Sequence, residues 1–352
     1  MLFAPRRKRR PGCLVVLLLA LVLLGLTLGL NHLNNGFVDL LRETASITRL
    51  DKALEGFAIL HLSDLHAASL GEKQAEIRKL LRTESYRAVC LTGDMVGLSG
   101  NAQPFLDLLD VFPEDVPVYF IAGDNDPAPL NLSAGSQVKA DFIRQAEAKG
   151  AIYLDSPQQI IIGKRSIWFA PASLYTTDLD AATFALDQRR QELQALADRQ
   201  TPDDQAALRA VIYQQEVLAL SRQAAQSMRP EDAFVLLSHH PLDALQIDEL
   251  HQGEGRERQA RNFPGAVSLI LAGHWNNGQW RLPFIGPVWV PSGMMGLEGW
   301  LPGSRAVSGM AVVHGVPEYV SPGLGTSGAY PWQPFRLFNR PQMTLIKLSA
   351  SR

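Results

Sequence analysis

Residues 57–66 read Phe57-Ala58-Ile59-Leu60-His61-Leu62-Ser63-Asp64-Leu65-His66. An apolar run of strand length, Phe57 to Leu62, stops at a polar cluster that carries a carboxylate and an imidazole. The pattern returns along the chain. Ala88 to Leu91 ends at Gly93-Asp94, Val118 to Ile121 at Gly123-Asp124-Asn125-Asp126, Ala233 to Leu237 at Ser238-His239-His240-Pro241, and Val267 to Leu271 at Gly273-His274-Trp275-Asn276. Segments with helical spacing lie between, at 71–83 and 102–111. Continuous apolar strands alternating with helices predict buried, largely parallel strands joined by right-handed crossovers. In such sheets the residues just past the carboxyl ends of the strands face one crevice.

Outward from these strands the signals change. Ile160 to Ile162 and Ser166 to Phe169 read as a hairpin around Gly163-Lys164. Leu179 to Met228 reads as two helices broken at Thr201-Pro202, an insertion at about 178–228 lying beside the core with a solvated charged face. Beyond Trp280 the chain is rich in Gly and Pro, and Pro287 to Val290, Ala311 to Val313 and Thr344 to Leu348 predict the short strands of a second sheet.

The formal net charge is -2, with Arg6, Arg7, Lys8, Arg9 and Arg10 crowded at one end, so no broad basic face for nucleic acid is expected. Directly after them, Cys13 to Leu30 is uncharged and leucine-rich, close to the shortest helix that crosses a ~30 Å hydrocarbon core. No A-x-A-like cleavage site stands near Leu30, which favours a retained anchor over a cleaved signal peptide. The basic flank sets the N-terminus on the cytoplasmic side. Cys13 and Cys90, one in the anchor and one in a strand, do not make a disulfide.

The strand ends carry the chemistry. Two first-row divalent cations ~3.5 to 4 Å apart require several carboxylate oxygens and imidazole nitrogens, one of them reaching both ions. Asp64, His66, Asp94, Asp124, His239 and His274 supply that inventory in order. A single Asp-x-His or Gly-Asp is most simply a turn former or helix cap. The ordered series is the signal.

That series resembles the calcineurin-like metallophosphoesterase superfamily, whose blocks D-x-H, G-D, G-N-H-D/E, S-H-x-P and G-H-x-H stand here at 64–66, 93–94, 123–126, 238–241 and 273–276. The stretches 273–293, 322–328 and 336–341 resemble its bacterial membrane-associated, YkuE-like branch. The resemblance implies a four-layer α/β/β/α sandwich. It also implies a basic tail (1–12), a transmembrane anchor (13–30), a linker and lead-in (31–56) and a metallophosphoesterase domain (57–352) held outside the cytoplasm at the membrane. One ion would be held by Asp64, His66 and Asp94 and the other by Asp94, Asp124, His239 and His274, with manganese, iron or zinc as the metals. A hydroxide between them would attack a phosphodiester or phosphomonoester. By location alone, a lipid head group or an envelope phosphate polymer is the expected substrate.

Three positions depart from the family pattern. Asp124 replaces an Asn ligand and adds negative charge. Asn125 stands where a catalytic His is usual, and an amide donates a hydrogen bond but delivers no proton; a general-acid contribution of ~10²- to 10⁴-fold rests on that difference. Asn276 replaces the third imidazole of the first ion site, leaving a weak carbonyl oxygen or water there. These departures keep a rival reading open, a degenerate member that binds metal or ligand at the surface without turnover. His61 and His240 read as packed or exposed histidines, with His240 also open to recruitment by the gap left at Asn125 or Asn276, and Asp126 reads as an orienting carboxylate. Arg281 and Arg336 read either as phosphate forks or as surface residues, and Met294 and Met295 as filler near the cleft mouth.

Overall fold

The computed structural model describes residues 12–133, 135–196, 200–251, 263, 266–290, 299–302, 307–329, 331–333 and 335–351. The basic run Arg6 to Arg10, Met294 and Met295 lie outside them. In chain order the first half comprises α1 (Gly12–Asn34), β1 (Asp39–Ile47), β2 (Ala58–Leu62), α2 (Ala75–Leu81), β3 (Ala88–Thr92), α3 (Gln103–Leu109), β4 (Val118–Ile121), α4 (Asp141–Ala148) and β5 (Ile152–Tyr153). The second half adds β6 (Gln158–Ile162), β7 (Arg165–Pro171), α5 (Ala172–Thr176), α6 (Leu179–Ala195), α7 (Pro202–Ser227), β8 (Ala233–Leu237), α8 (Ala244–His251) and β9 (Leu269–Ala272). Short strands follow, β10 (Arg281–Leu282), β11 (Gly286–Pro287), β12 (Trp289–Val290) and β13 (Gly299–Trp300), then β14 (Gly309–Val313), β15 (Val316–Val320) and β16 (Gln342–Ala350).

Two six-stranded mixed sheets result, ordered β1-β16-β2-β3-β4-β5 and β14-β15-β9-β8-β7-β6. In each, the strands that carry the site, β2-β3-β4 and β8-β9, run parallel. Because successive side chains on a strand point to opposite faces, each strand feeds two cores. Leu60, Leu62, Val89 and Leu91 pack with Ile77, Phe105 and Phe142 from α2, α3 and α4. Ile59, Cys90 and Tyr119 pack instead with Phe169, Val235, Leu271 and Tyr319 of the other sheet. Tyr119 stacks on Phe169 at 4.7 Å between ring centroids.

Several expectations are met locally. The 160–169 hairpin pairs Ile162 with Arg165 around a left-handed Gly163. The break at Thr201-Pro202 is a capping box, in which Thr201 and Asp204 satisfy each other's backbone N–H at the start of α7. Four placements differ, the first being Pro287 to Val290, which is split between the two-stranded ladders β10-β11 and β12-β13 rather than joining the second sheet. The stretch 31–56, expected to lead in to the domain, supplies β1, which pairs in parallel with β16 from Asp39 to Ile47. Thr344 to Leu348 joins the first sheet, antiparallel to β2, rather than the second. β15 was not legible as a strand because Pro317 and Glu318 interrupt its pattern. Pro317 faces only the antiparallel neighbour β14, outside the three-residue ladder to β9, where its missing N–H is tolerated.

At the N-terminus α1 is the one candidate span among the described residues, with 21 residues from Leu14 to Asn34 and a mean hydropathy of 2.6. Its helix runs past Leu30, so the expected anchor boundary falls short of the observed end.

Candidate metal centre

Each candidate side chain follows directly on a strand: Asp64 and His66 on β2, Asp94 on β3, Asp124 on β4, His239 on β8, His274 and Asn276 on β9. The turns there are tight. Asp64, His66, Asp94, His274 and Asn276 all have positive φ, between 47° and 72°, a conformation Asn, Asp and His tolerate better than bulkier residues and one that clusters at functional sites. Glycine makes the approach possible at Gly93, where a Cβ would lie 2.6 Å from His239 Nδ1.

Two groups of donors form. In the first, His66 Nε2 lies 3.5 Å from Asp94 Oδ2 and 3.9 Å from Asp64 Oδ1. In the second, Asp124 Oδ1 is 2.9 Å from His239 Nε2 and 3.6 Å from His274 Nδ1, while His240 Nε2 is 3.8 Å from Asp124 Oδ2. Asp94 Oδ2, 3.4 Å from His239 Nε2, joins the two.

His240, read as packed or exposed but open to recruitment, thus stands with the second donor group. Its sequence signals were the tandem placement beside His239 and the gap left by Asn125 or Asn276, and the turn after β8 tilts its ring to 3.9 Å from that of His274. His61, in contrast, is packed as expected, buried against Tyr319 with Nε2 on Thr92 Oγ1 at 2.9 Å. Burial pushes its pKa down to about 3, so it is neutral.

Asn125 and Asn276 take specific positions. The backbone N–H of Asn125 donates to Asp94 Oδ1 at 2.9 Å and its Nδ2 to Asp94 Oδ2 at 2.7 Å and to Asp124 Oδ1 at 3.0 Å. The Asn276 Oδ1 accepts from Arg336 Nη1 at 3.3 Å, and its Nδ2 faces Asp64 Oδ1 and His66 Nε2, both at 3.4 Å. The carbonyl oxygen expected to serve the first ion thus points away from it.

Arg336 itself is neither a phosphate fork nor a surface residue. It is buried and donates to the Asn339, Gly325 and Pro322 carbonyls. The loop it clamps lies on the site: Gly325 N–H donates to the Asp64 carbonyl at 2.6 Å, and a Cβ at Gly325 would overlap the Leu65 carbonyl. Arg281 holds the Asn277 carbonyl and side-chain oxygen. Asp126 is an orienting carboxylate, accepting from the N–H groups of Met95, Val96, Gly97 and Gly123 and so tying the β3 and β4 turns together.

The electrostatics fit divalent cations. Burial, with the nearby Asp94 charge, raises the pKa of Asp64. Burial pulls Asp94 and Asp124 the same way, but hydrogen bonds and charge from His239, aided by Asn125 at Asp94 and by His274 at Asp124, outweigh it and hold both carboxyls low. The same carboxylates overcome the desolvation of His239 and raise its pKa well above its ordinary value. Burial and the neighbouring His274 and His239 lower His240 to about 4. Three converging carboxylates with imidazoles at this spacing need added positive charge, and hard oxygen with borderline nitrogen donors match first-row divalent metals. The cleft above them is lined by Asp124, Asn125, His274, Asn276, Gln279 and Trp289.

The model of the calcineurin-like phosphoesterase family matches residues 57–277. The chain belongs to this family. Membership implies divalent-metal binding, and the matched span contains every candidate ligand from Asp64 to Asn276. Among solved structures, the phosphopantetheinyl hydrolase from Mycobacterium tuberculosis is similar at 14% identity and a TM-score of 0.37, covering 84% of this chain and 96% of that one. No curated protein sequence matches the chain.

Proposed function

We propose that this calcineurin-like phosphoesterase hydrolyses a phosphodiester or phosphomonoester at the outer face of a membrane, using two divalent ions drawn from manganese, iron and zinc. The observation that carries the reading is Asp94, whose Oδ2 stands 3.5 Å from His66 in its own donor group and 3.4 Å from His239 in the other, and so links the two. Asp64, His66 and Asp94 would hold one ion; Asp94, Asp124, His239 and His274, with His240 beside them, the other. When bound, such a pair supplies Lewis-acid polarisation of the phosphoryl group and an activated water. The protein's part is positional. Asn125 lines the cleft, and its amide N–H₂ donates to Asp94 and Asp124 and so orients both carboxylates. Asp126 fixes the turns that bear Asp94 and Asp124.

Cores on the opposite faces of each sheet, the one between them being shared, support the α/β/β/α reading. The Arg6 to Arg10 flank of α1 supports a cytoplasmic N-terminus and an extracytoplasmic domain, as in the membrane-associated branch. A site held near a bilayer favours a lipid head group or an envelope phosphate polymer as substrate. The turned amide of Asn276 favours the second reading, a degenerate member that binds metal without efficient turnover.

The two are separated by purifying the full chain in detergent, measuring bound metal, and assaying bis(p-nitrophenyl) phosphate with added manganese. Bound metal together with hydrolysis abolished by Asp94→Ala supports the enzyme. Sub-stoichiometric metal and no hydrolysis with any divalent cation sinks the enzyme and leaves the degenerate metal- or ligand-binding member.

A further inference from the structure

Near the end of α1 the chain exposes a cluster of large apolar side chains. β10 and β11 form a hairpin in which Leu282 pairs with Gly286, so Pro283, Phe284 and Ile285 make its tip. Phe284 is 110% exposed, Ile285 57% and Leu282 37%. Phe284 also has φ 67°, a strained backbone for a bulky aromatic, and that turn aims the ring outward. Phe338, 43% exposed, lines the same groove as the tip.

This cluster is stitched to the apolar helix. Leu337 accepts from Arg281 N–H at 2.9 Å and donates to the Gln279 carbonyl at 3.0 Å, joining the hairpin's first strand to 336–338. The last turn of α1 grips the same segment: Asn31 and Asn35 donate to the Arg336 carbonyl at 2.7 and 2.6 Å, Phe338 N–H donates to Asn31 Oδ1 at 2.8 Å, and Arg340 donates to Asn34 Oδ1 at 2.5 Å. A helix with a mean hydropathy of 2.6 thus stops where the apolar tip begins.

We infer that the Leu282 to Ile285 tip, with Phe338, inserts into the interfacial layer of the bilayer that α1 spans. The inference rests on the reading of α1 as a membrane span. Exposed aromatic and aliphatic side chains at such a boundary gain by entering the headgroup and acyl region, to a depth of roughly 5 to 10 Å, and an apolar patch left in water is otherwise unfavourable. A helix and a separate loop make two points of attachment, which fix the tilt of the domain as a single helix does not. The site stays close to the lipid surface, because Arg336, whose carbonyl the helix end holds, also donates to Asn276.

The test uses the full chain carrying Cys13→Ser, reconstituted in phosphatidylethanolamine and phosphatidylglycerol nanodiscs. Cys90 is buried with its thiol pKa pushed up, so it does not compete for label. An environment-sensitive fluorophore is attached at Phe284→Cys, at Leu33→Cys near the helix end, or at the exposed edge position Ile161→Cys, and acyl-chain nitroxide lipid is added. The expected result is a blue-shifted emission quenched about twofold or more at 284 and 33, with 161 unaffected. Quenching at 33 with 284 behaving like 161 overturns the tip contact while leaving the span intact. Absence of quenching at 33 overturns the span and the inference with it. A blue shift at 284 that nitroxide lipid does not quench assigns the tip to a protein partner or a second copy and also overturns it.

Discussion

Arg336 donates to the side-chain oxygen of Asn276 at 3.3 Å. A guanidinium carries only donors, so this contact fixes which way the amide lies, with Nδ2 toward Asp64 and His66. A donor group occupies the place where the first ion of the proposed pair would need an acceptor.

Metal binding is therefore expected to be unequal. The purified chain should retain one ion on dialysis, held on the Asp124, His239 and His274 side, and lose the other. Asn276→His replaces the amide with a nitrogen ligand and should tighten the ion on the Asp64 and His66 side by about tenfold or more. Elemental analysis across a chelator titration checks this, and identical stoichiometry in both proteins would count against it.

Asp126 accepts four backbone N–H groups from two turns. Asp126→Ala leaves those donors without their partner, with an expected loss of about 3 kcal/mol or more. Urea denaturation should show this as a lower midpoint, and metal affinity should fall with it, since Asp94 and Asp124 ride on the same turns.

At Asn125 the expectation concerns leaving groups. An aryl ester leaves without protonation, whereas an alkyl ester needs an acid. Asn125→His should raise hydrolysis of an alkyl phosphodiester relative to bis(p-nitrophenyl) phosphate by about tenfold or more. An unchanged ratio of kcat/KM between the two substrates would remove Asn125 from leaving-group chemistry.

Glu318 lies buried in β15 and accepts from Leu242 N–H at 2.7 Å. Desolvation raises its pKa from 4.5 to about 7. A folded-state pKa above the unfolded one means that the folded state holds the proton more tightly. The stability that this provides is full below about pH 4.5 and is lost as pH rises through about 7. The total is on the order of 3 kcal/mol. Glu318→Gln keeps the acceptor without the charge and should flatten thermal stability between these limits, with its largest gain near pH 8.

Much of the candidate site was legible because its donor residues sit at strand ends, where an apolar run stopping at Asp or His is visible one strand at a time. His240 was legible only as open to recruitment, since a tandem histidine gives no sign of which way its ring turns. Arg336 was not legible, because a lone arginine far along the chain carries no mark of burial. Thr344 to Leu348 was recognisable as a strand, but an apolar run does not name its neighbours.

The sequence alone determined the ordered donors from Asp64 to His274, the alternation of strand and helix around them, and the apolar run that becomes α1. These follow from local periodicity and residue chemistry, which the chain carries in its own order. Tertiary structure decided that β16 enters the first sheet between β1 and β2, that Asp94 faces both donor groups, and that the amide of Asn276 turns its nitrogen to Asp64. Each of those depends on contacts between residues distant in sequence, and the last was decided when burial left Arg336 to find its acceptors among the Asn339, Gly325 and Pro322 carbonyls and the Asn276 oxygen.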